Sequence, residues 1–254
     1  MELELSTFLI VCPLVFLGSV VDAIAGGGGL ITLPAYLMAG VPPHLALGTS
    51  KLSSTMGMAT SAWRLYRSGF TNLRLSVLPV AAAFVGSFVG ARLALLVPES
   101  VFELLLVGML PFAALFVMSK KTLSDNPEAI SPTRQMALLA LCAFLCGTYD
   151  GFYGPGAGTL MLISFSAVAH LAVREAAGQM KMVNFSSGLA AFVSYAAAGE
   201  VNWALGLAAG LFGIAGHYIG AGLVIKNGVR VVRPLIVLVI AALFAKTAWD
   251  YFAG

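Results

Sequence analysis

Two aspartates in apolar sequence are each followed by a run of glycine. Asp22 precedes Gly26, Gly27, Gly28 and Gly29, with Thr32 and Pro34 just beyond. Asp150 precedes Gly151, Gly154, Pro155, Gly156 and Gly158, with Thr159 next. Glycine permits a tight chain reversal and removes the side chain that would keep a ligand from backbone N–H groups. Irregular backbone at membrane depth is tolerated only where protein or a wet cavity covers it. A helix restarting after such a break presents the positive end of its dipole inside the membrane, which suits an anionic group. The competing expectation is that these glycines only let helices pack closely. Two related breaks, each after an Asp, favour a substrate pathway.

Two lysines carry the opposite charge. Lys51 lies among Thr49, Ser50, Ser53 and Ser54, and Lys181 lies near Gln179, Asn184, Ser186 and Ser187. Each is placed about 9 Å below a membrane surface at 1.5 Å per residue. Charge there is costly, so such residues usually face a cavity or a partner. A cation beside neutral hydrogen-bond donors suits an oxyanion. The candidate binding set is therefore Gly26, Gly27, Gly28, Thr49, Ser50 and Lys51, with Gly154, Gly156, Gly158, Gln179, Lys181 and Asn184 from the second stretch. Asp22 and Asp150 are candidates for coupling or pairing. The alternative role for the lysines is structural, Asp22 holding Lys51 and Asp150 holding Lys181. The two roles are compatible if substrate or a proton breaks the pair.

Other polar residues point to less. Gly86 and Gly90, like Gly216 and Gly220, have the four-residue spacing of close helix packing. Arg92 can snorkel towards its helix end, and Lys246 is either a third pathway cation or another snorkelling residue. His44, His170 and His217 occupy unrelated places and read as boundary or packing residues. Trp63, Trp203 and Trp249 lie near block ends, as an interfacial belt requires. Cys12, Cys142 and Cys146 sit in apolar blocks with no His or acidic neighbour to make a metal site. No cofactor is called for. No phosphate-binding loop of the Walker type is present, so ATP is not the direct energy source. An intramembrane enzyme would need a nucleophile with its base, or two catalytic carboxylates. Asp22 and Asp150 are the one such pair, and each opens its own glycine run.

The elements that must position these residues are membrane helices. Hydrophobic residues make up 59% of the chain and charged ones 10%, and mean hydropathy is +0.95. A soluble domain spends about a quarter of its residues on charge. The net charge of +3 is spread over short loops and gives no nucleic-acid surface. The first apolar block, Thr7–Ala25, follows the acidic Met1–Leu5 stretch rather than a basic one, and reads as a retained helix instead of a signal peptide. Further apolar blocks run over Leu30–Ala39, Leu45–Tyr66, Leu73–Val97 and Val101–Met118. After a polar run from Ser119 to Arg134 come Met136–Tyr149, Thr159–Leu171, Ala172–Ala198, Val201–Ile225 and Val231–Trp249.

Sliding the chain so that Lys51 falls on Lys181 also brings Gly48 onto Gly178, Asn72 onto Asn202, Gly86 onto Gly216 and Gly90 onto Gly220. A two-residue change of offset aligns Asp22 with Asp150. The chain is therefore read as a duplication: a first repeat over 1–118, a cytoplasmic linker over 119–135 and a second repeat over 136–254. Cations flank the turn at Gly69 (Arg64, Arg67, Arg74) but not its counterpart at Gly199. They flank the turn at Lys226 and Arg230 but not its counterpart at Pro98. By the positive-inside rule the repeats are inverted. The expected fold is an all-α polytopic membrane protein, each repeat a glycine-broken re-entrant hairpin plus three transmembrane helices. Both termini are expected outside.

The stretches Asp22–Pro34, Ala46–Ser54, Thr148–Gly158 and Gly178–Asn184, supported by Val232–Ile236, resemble the TauE/SafE family of membrane permeases, in its YfcA-like branch. The resemblance runs over nearly the whole chain. It implies export of small sulfur-containing anions such as sulfite, sulfoacetate or related organosulfonates, from a multi-pass position in the cell membrane. The expected partners are a small anionic substrate and the lipid bilayer, with a proton as candidate coupling ion and a homo-oligomer allowed. The expected mechanism is secondary transport by alternating access, with an anion channel using the same residues as the alternative.

Overall fold

The computed structural model describes residues 5–99, 101, 128 and 130–227. The apolar blocks Val101–Met118 and Val231–Trp249, and with them Lys246 and Trp249, lie outside the described residues apart from Val101. The described chain is helical: α1 Leu5–Ala25, α2 Gly29–Met38, α3 Pro43–Arg67, α4 Leu73–Leu95, α5 Pro132–Phe152, α6 Ala157–Ala167, α7 Val173–Ala197 and α8 Trp203–Asn227. The polar run ends earlier than the sequence suggests. Pro132 begins α5 and Ser131 caps it, its side chain accepting the Arg134 N–H. Proline costs nothing at that position, because its missing N–H would have had no helical partner.

Among the described residues, α1, α4, α5 and α8 are long and apolar enough to cross a membrane. Their large side chains stay uncovered: Leu9, Val77, Leu141 and Leu211 are all more than half exposed. A lipid-facing surface accounts for this, since hydrocarbon rewards it where water would not. Helices α3 and α7 are as long as α8 at 25 residues each, but carry buried Ser, Thr, Asn and Lys. They form the interior. Helices α2 and α6 have 10 and 11 residues, about 15 Å each, half the hydrocarbon thickness.

Packing follows small residues. Gly86 and Gly90 of α4 lie against the Phe144 and Thr148 carbonyls of α5, and Gly147 and Gly151 of α5 answer against Ala83 and Ser87. Gly216 and Gly220 of α8 lie against Phe16, Ser19 and Val20 of α1. These are the close-packing faces expected from the spacing. The arrangement is reciprocal, since α1 packs on α8 and α5 on α4, while α3 packs on α8 and α7 on α4. The matched helices α3 and α7 pass each other antiparallel. Gly48 near the start of α3 meets Tyr195 near the end of α7, and Thr55 and Met58 meet Gly188.

Candidate functional site

Helix α1 ends at Ala25 and α5 at Phe152, so both stop inside the bundle, where the carbonyls of their last turns form the negative ends of the two helix dipoles. The lysines meet them. Lys51 Nζ donates to the Asp150 carbonyl at 2.6 Å and to its Oδ1 at 2.8 Å. Lys181 Nζ donates to the Asp22 carbonyl and, at 2.8 Å, to Asp22 Oδ2. Each ammonium thus satisfies the negative end of a broken helix and the carboxylate on its last turn. The pairs are crossed. Lys51 of α3 holds Asp150 of α5, and Lys181 of α7 holds Asp22 of α1, not the Asp of its own half as the sequence reading had it. The antiparallel passage of α3 and α7 sets each lysine against the tip of the other half.

The remaining carboxylate oxygens are also engaged. Asp22 Oδ1 accepts the Gly28 N–H at 3.2 Å, so the carboxylate occupies the positive start of α2. Asp150 Oδ2 accepts from Ser187 Oγ at 2.7 Å. The two tips touch. Gly26, at φ +77°, lies against the Gly158 backbone, where any Cβ would collide. The Thr159 N–H donates to the Gly26 carbonyl at 3.2 Å, and Thr159 Oγ1 donates to the Ala25 carbonyl at 2.8 Å.

Beside this contact is a cavity of about 50 Å³, reached by Gly26, Gly28, Gly29 and Thr32 from one hairpin and Tyr153, Gly154, Pro155 and Gly158 from the other. Asp22, Asp150, Ser50, Lys51, Ser54 and Asn184 also line it, with His217 from α8. The chain matches the family described as Sulfite exporter TauE/SafE over residues 11–247. The chain belongs to the TauE/SafE family. TauE/SafE relatives include a protein of Sinorhizobium sp named probable membrane transporter protein ORF9, 34% identical over 247 residues, covering 97% of this chain and 94% of that protein. A probable membrane transporter protein of Haemophilus influenzae is 32% identical, covering 98% of both chains. The probable membrane transporter protein YfcA of Escherichia coli K12 is 32% identical, covering 92% of this chain and 87% of that one. No solved structure matches the chain. Family membership and four helices of spanning length make it a multi-pass membrane protein.

In this TauE/SafE chain the candidate residues divide into groups. Gly26, Gly28, Ser50, Lys51, Gly154, Gly158 and Asn184 are drawn together around the cavity with Asp22 and Asp150. Lys181 is fully buried behind Asp22. Gly27 and Gly156 sit in the tips without lining the cavity, Gly156 as the left-handed cap of α6. Thr49 and Gln179 are turned elsewhere. Thr49 Oγ1 accepts the Asn202 N–H, and Gln179 Nε2 donates to the Asn72 carbonyl. Asn72 and Asn202 cap the starts of α4 and α8, so this pair ties each interior helix to a helix start in the other half. Two residues along a helix is about 200° of rotation, which points Thr49 away from Lys51 and Gln179 away from Lys181. Three residues on, Ser54 and Asn184 share the lysine face, and both line the cavity. His217 was read as a packing residue; it lines the cavity and faces Asp22.

Proposed function

We propose that the protein is a secondary transporter that exports small sulfur-containing anions, such as sulfite or sulfoacetate, by alternating access. The observation that carries this is the cavity between two touching helix breaks, flanked by two crossed Lys–Asp pairs. Both lysines are already neutralised by carboxylates, so the site as it stands has no net charge to offer an anion. An oxyanion binds by taking over an ammonium and the Gly28 N–H that the carboxylates now occupy, with Ser50, Ser54 and Asn184 supplying or sharing hydrogen bonds. Uncompensated charge at membrane depth is costly, so a proton on one carboxylate is the natural companion of a monoanion. The cavity suits a small cargo. At roughly 10–15 Å³ per water on this measure, about four water-sized groups fit, matching the four heavy atoms of sulfite; sulfoacetate requires the tips to part.

We read the two halves as inverted repeats. The antiparallel passage of α3 and α7, the reciprocal packing and the loop charges all support that reading. The test is uptake of labelled sulfite and sulfoacetate into proteoliposomes, with and without a pH gradient. Saturable counterflow is expected, reduced at least tenfold in Lys51→Ala and in Lys181→Ala. If both variants transport normally at equal expression, the site assignment is wrong. Conductance far above carrier turnover would instead indicate a channel. Single cysteines in the Gly69 and Gly199 turns should label from opposite sides of the membrane, and labelling from one side would end the inverted reading.

A further inference from the structure

The two Lys–Asp pairs match under the repeat, but their surroundings do not. Sliding α8 back onto α4 puts His217 on Ser87, and sliding α7 onto α3 puts Ser187 on Gly57. These two departures are complementary. Around Asp150, Ser187 donates to the carboxylate, while Ser87 donates to the Ser187 carbonyl at 2.6 Å. Around Asp22 the serine position is Gly57, and the imidazole of His217 fills the vacated space; a Cβ on Gly57 would collide with its Cδ2. One carboxylate is therefore held by a hydroxyl and the other faces a titratable ring.

His217 Nδ1 lies 3.0 Å from Ser61 Oγ, and Ser61 gives its single hydroxyl proton to the Met58 carbonyl at 3.1 Å. With the Ser61 hydroxyl turned to Met58, Nδ1 is the donor in this contact and carries the hydrogen. In the neutral ring this leaves the lone pair on Nε2, which lies 3.7 Å from Asp22 Oδ2 at the edge of the cavity. In that tautomer two acceptors face each other. Among the described residues, the other charged groups around them are Lys181 from α7 and, across the cavity, Lys51 of α3 paired with Asp150 of α5. Tyr153 at the end of α5 also lines the cavity, and α2 contributes the Gly28 N–H.

We infer that His217 Nε2 and Asp22 Oδ2 together form the proton-binding site that couples transport, and that the Asp150 side, with its serine, binds no coupling proton. The inference rests on the transporter reading above. One proton taken up between Nε2 and Oδ2 cancels the charge of one bound monoanion, and it loosens the hold of Asp22 on both Lys181 and Gly28. The two pairs then open differently, Asp22–Lys181 with the proton and Lys51–Asp150 without it.

The proton site is tested first without any substrate. Infrared difference spectra of the purified full-length protein in lipid are recorded across pH. A carboxylic-acid band should appear that is lost in Asp22→Asn and kept in Asp150→Asn. In His217→Gln its midpoint should move by about one pH unit or more, the size of shift a neighbouring charge produces. No such band, a band lost with Asp150→Asn instead, or a midpoint indifferent to His217→Gln would overturn the assignment. Ring-nitrogen spectra of histidine-labelled protein, with His217 identified by its absence in His217→Gln, give a second readout. The tautomer bearing hydrogen on Nδ1 is expected at alkaline pH, and the Nε2-bearing tautomer would overturn it. Stimulation of labelled-sulfite uptake by a pH gradient should then be lost in His217→Gln, while retained stimulation would overturn coupling there. An intact protein that shows the band but never moves sulfite would refute the transport reading and leave the proton site standing.

Discussion

Lys51 and Lys181 each reach across to the broken helix of the other half, and each does so with almost no exposed surface. Losing one member of a buried pair strands a charge and costs about 3–5 kcal/mol, whereas losing both is far less damaging. Lys51→Met should therefore destabilise the detergent-solubilised protein strongly, and adding Asp150→Asn should recover most of the loss. Adding Asp22→Asn to Lys51→Met should recover much less. Denaturant unfolding of the two double-mutant cycles measures the couplings, and a larger coupling for Lys51 with Asp22 would refute the crossed arrangement. The four charged residues were legible in the sequence because charge inside an apolar block has few purposes. Their pairing was not, since a repeated Lys and a repeated Asp can combine in two ways and only tertiary contact chooses. His217 was missed although its signal was present: in the same alignment of the two halves it falls on Ser87, while Ser187 falls on Gly57, a matched pair of exceptions. That Thr49 and Gln179 turn away from the lysines was likewise available from helical rotation, two residues being the wrong spacing to share a face with a lysine.

Helices meet here at backbone distance, and that sets what each small residue tolerates. Gly90 is seated on the Thr148 carbonyl, and the atoms that would move are backbone rather than a side-chain end. Gly90→Val should part α4 from α5 and abolish the monodisperse peak on size exclusion, an overpacking penalty of about 1–3 kcal/mol or more. Gly40 is the comparison, with nothing within 4 Å of an added Cβ and a φ of +76°. Gly40→Ala should cost only the left-handed backbone term, about 1–2 kcal/mol, and keep the peak. Equal behaviour of the two variants would mean that α4 and α5 are not packed as described. The extents of α1, α4 and α8 follow the apolar blocks closely, because hydrophobic length and turn residues fix them. The start of α5 did not, since Pro132 looks like a breaker in sequence and serves as the first helical residue. The touching of Gly26 and Gly158 was not legible, because which backbone atoms meet at the two breaks is set by tertiary contact alone.

At the scale of the molecule, the described helices do not group by sequence half. Helices α1 and α3 pack with α8, and α2 packs on α1 and α3; likewise α5 and α7 pack with α4, and α6 packs on α5 and α7, so the two sequence halves have exchanged α4 and α8. The groups meet along α3 and α7 and at the hairpin tips. Both ion pairs cross that boundary, Lys51 to Asp150 in one direction and Asp22 to Lys181 in the other. If alternating access is rocking of rigid parts, the parts are these exchanged bundles and the ion pairs are the latches between them. Substrate and proton then act where they matter most, because opening a latch frees one bundle from the other. A reversible crosslink separates this from rocking of sequence halves. In a background lacking Cys12, Cys142 and Cys146, Thr55→Cys with Gly188→Cys bridges α3 to α7 across the boundary, since a Cβ on Gly188 lies 3.1 Å from Thr55 Oγ1. Met56→Cys with Gly210→Cys bridges α3 to α8 within one bundle, where a Cβ on Gly210 lies 3.5 Å from Met56 Cγ. Oxidation should cut sulfite counterflow at least tenfold in the first pair and be reversed by reductant, while the second pair keeps its rate. Because α3 and α8 come from different sequence halves, rocking of one half against the other would make the second crosslink as inhibitory as the first.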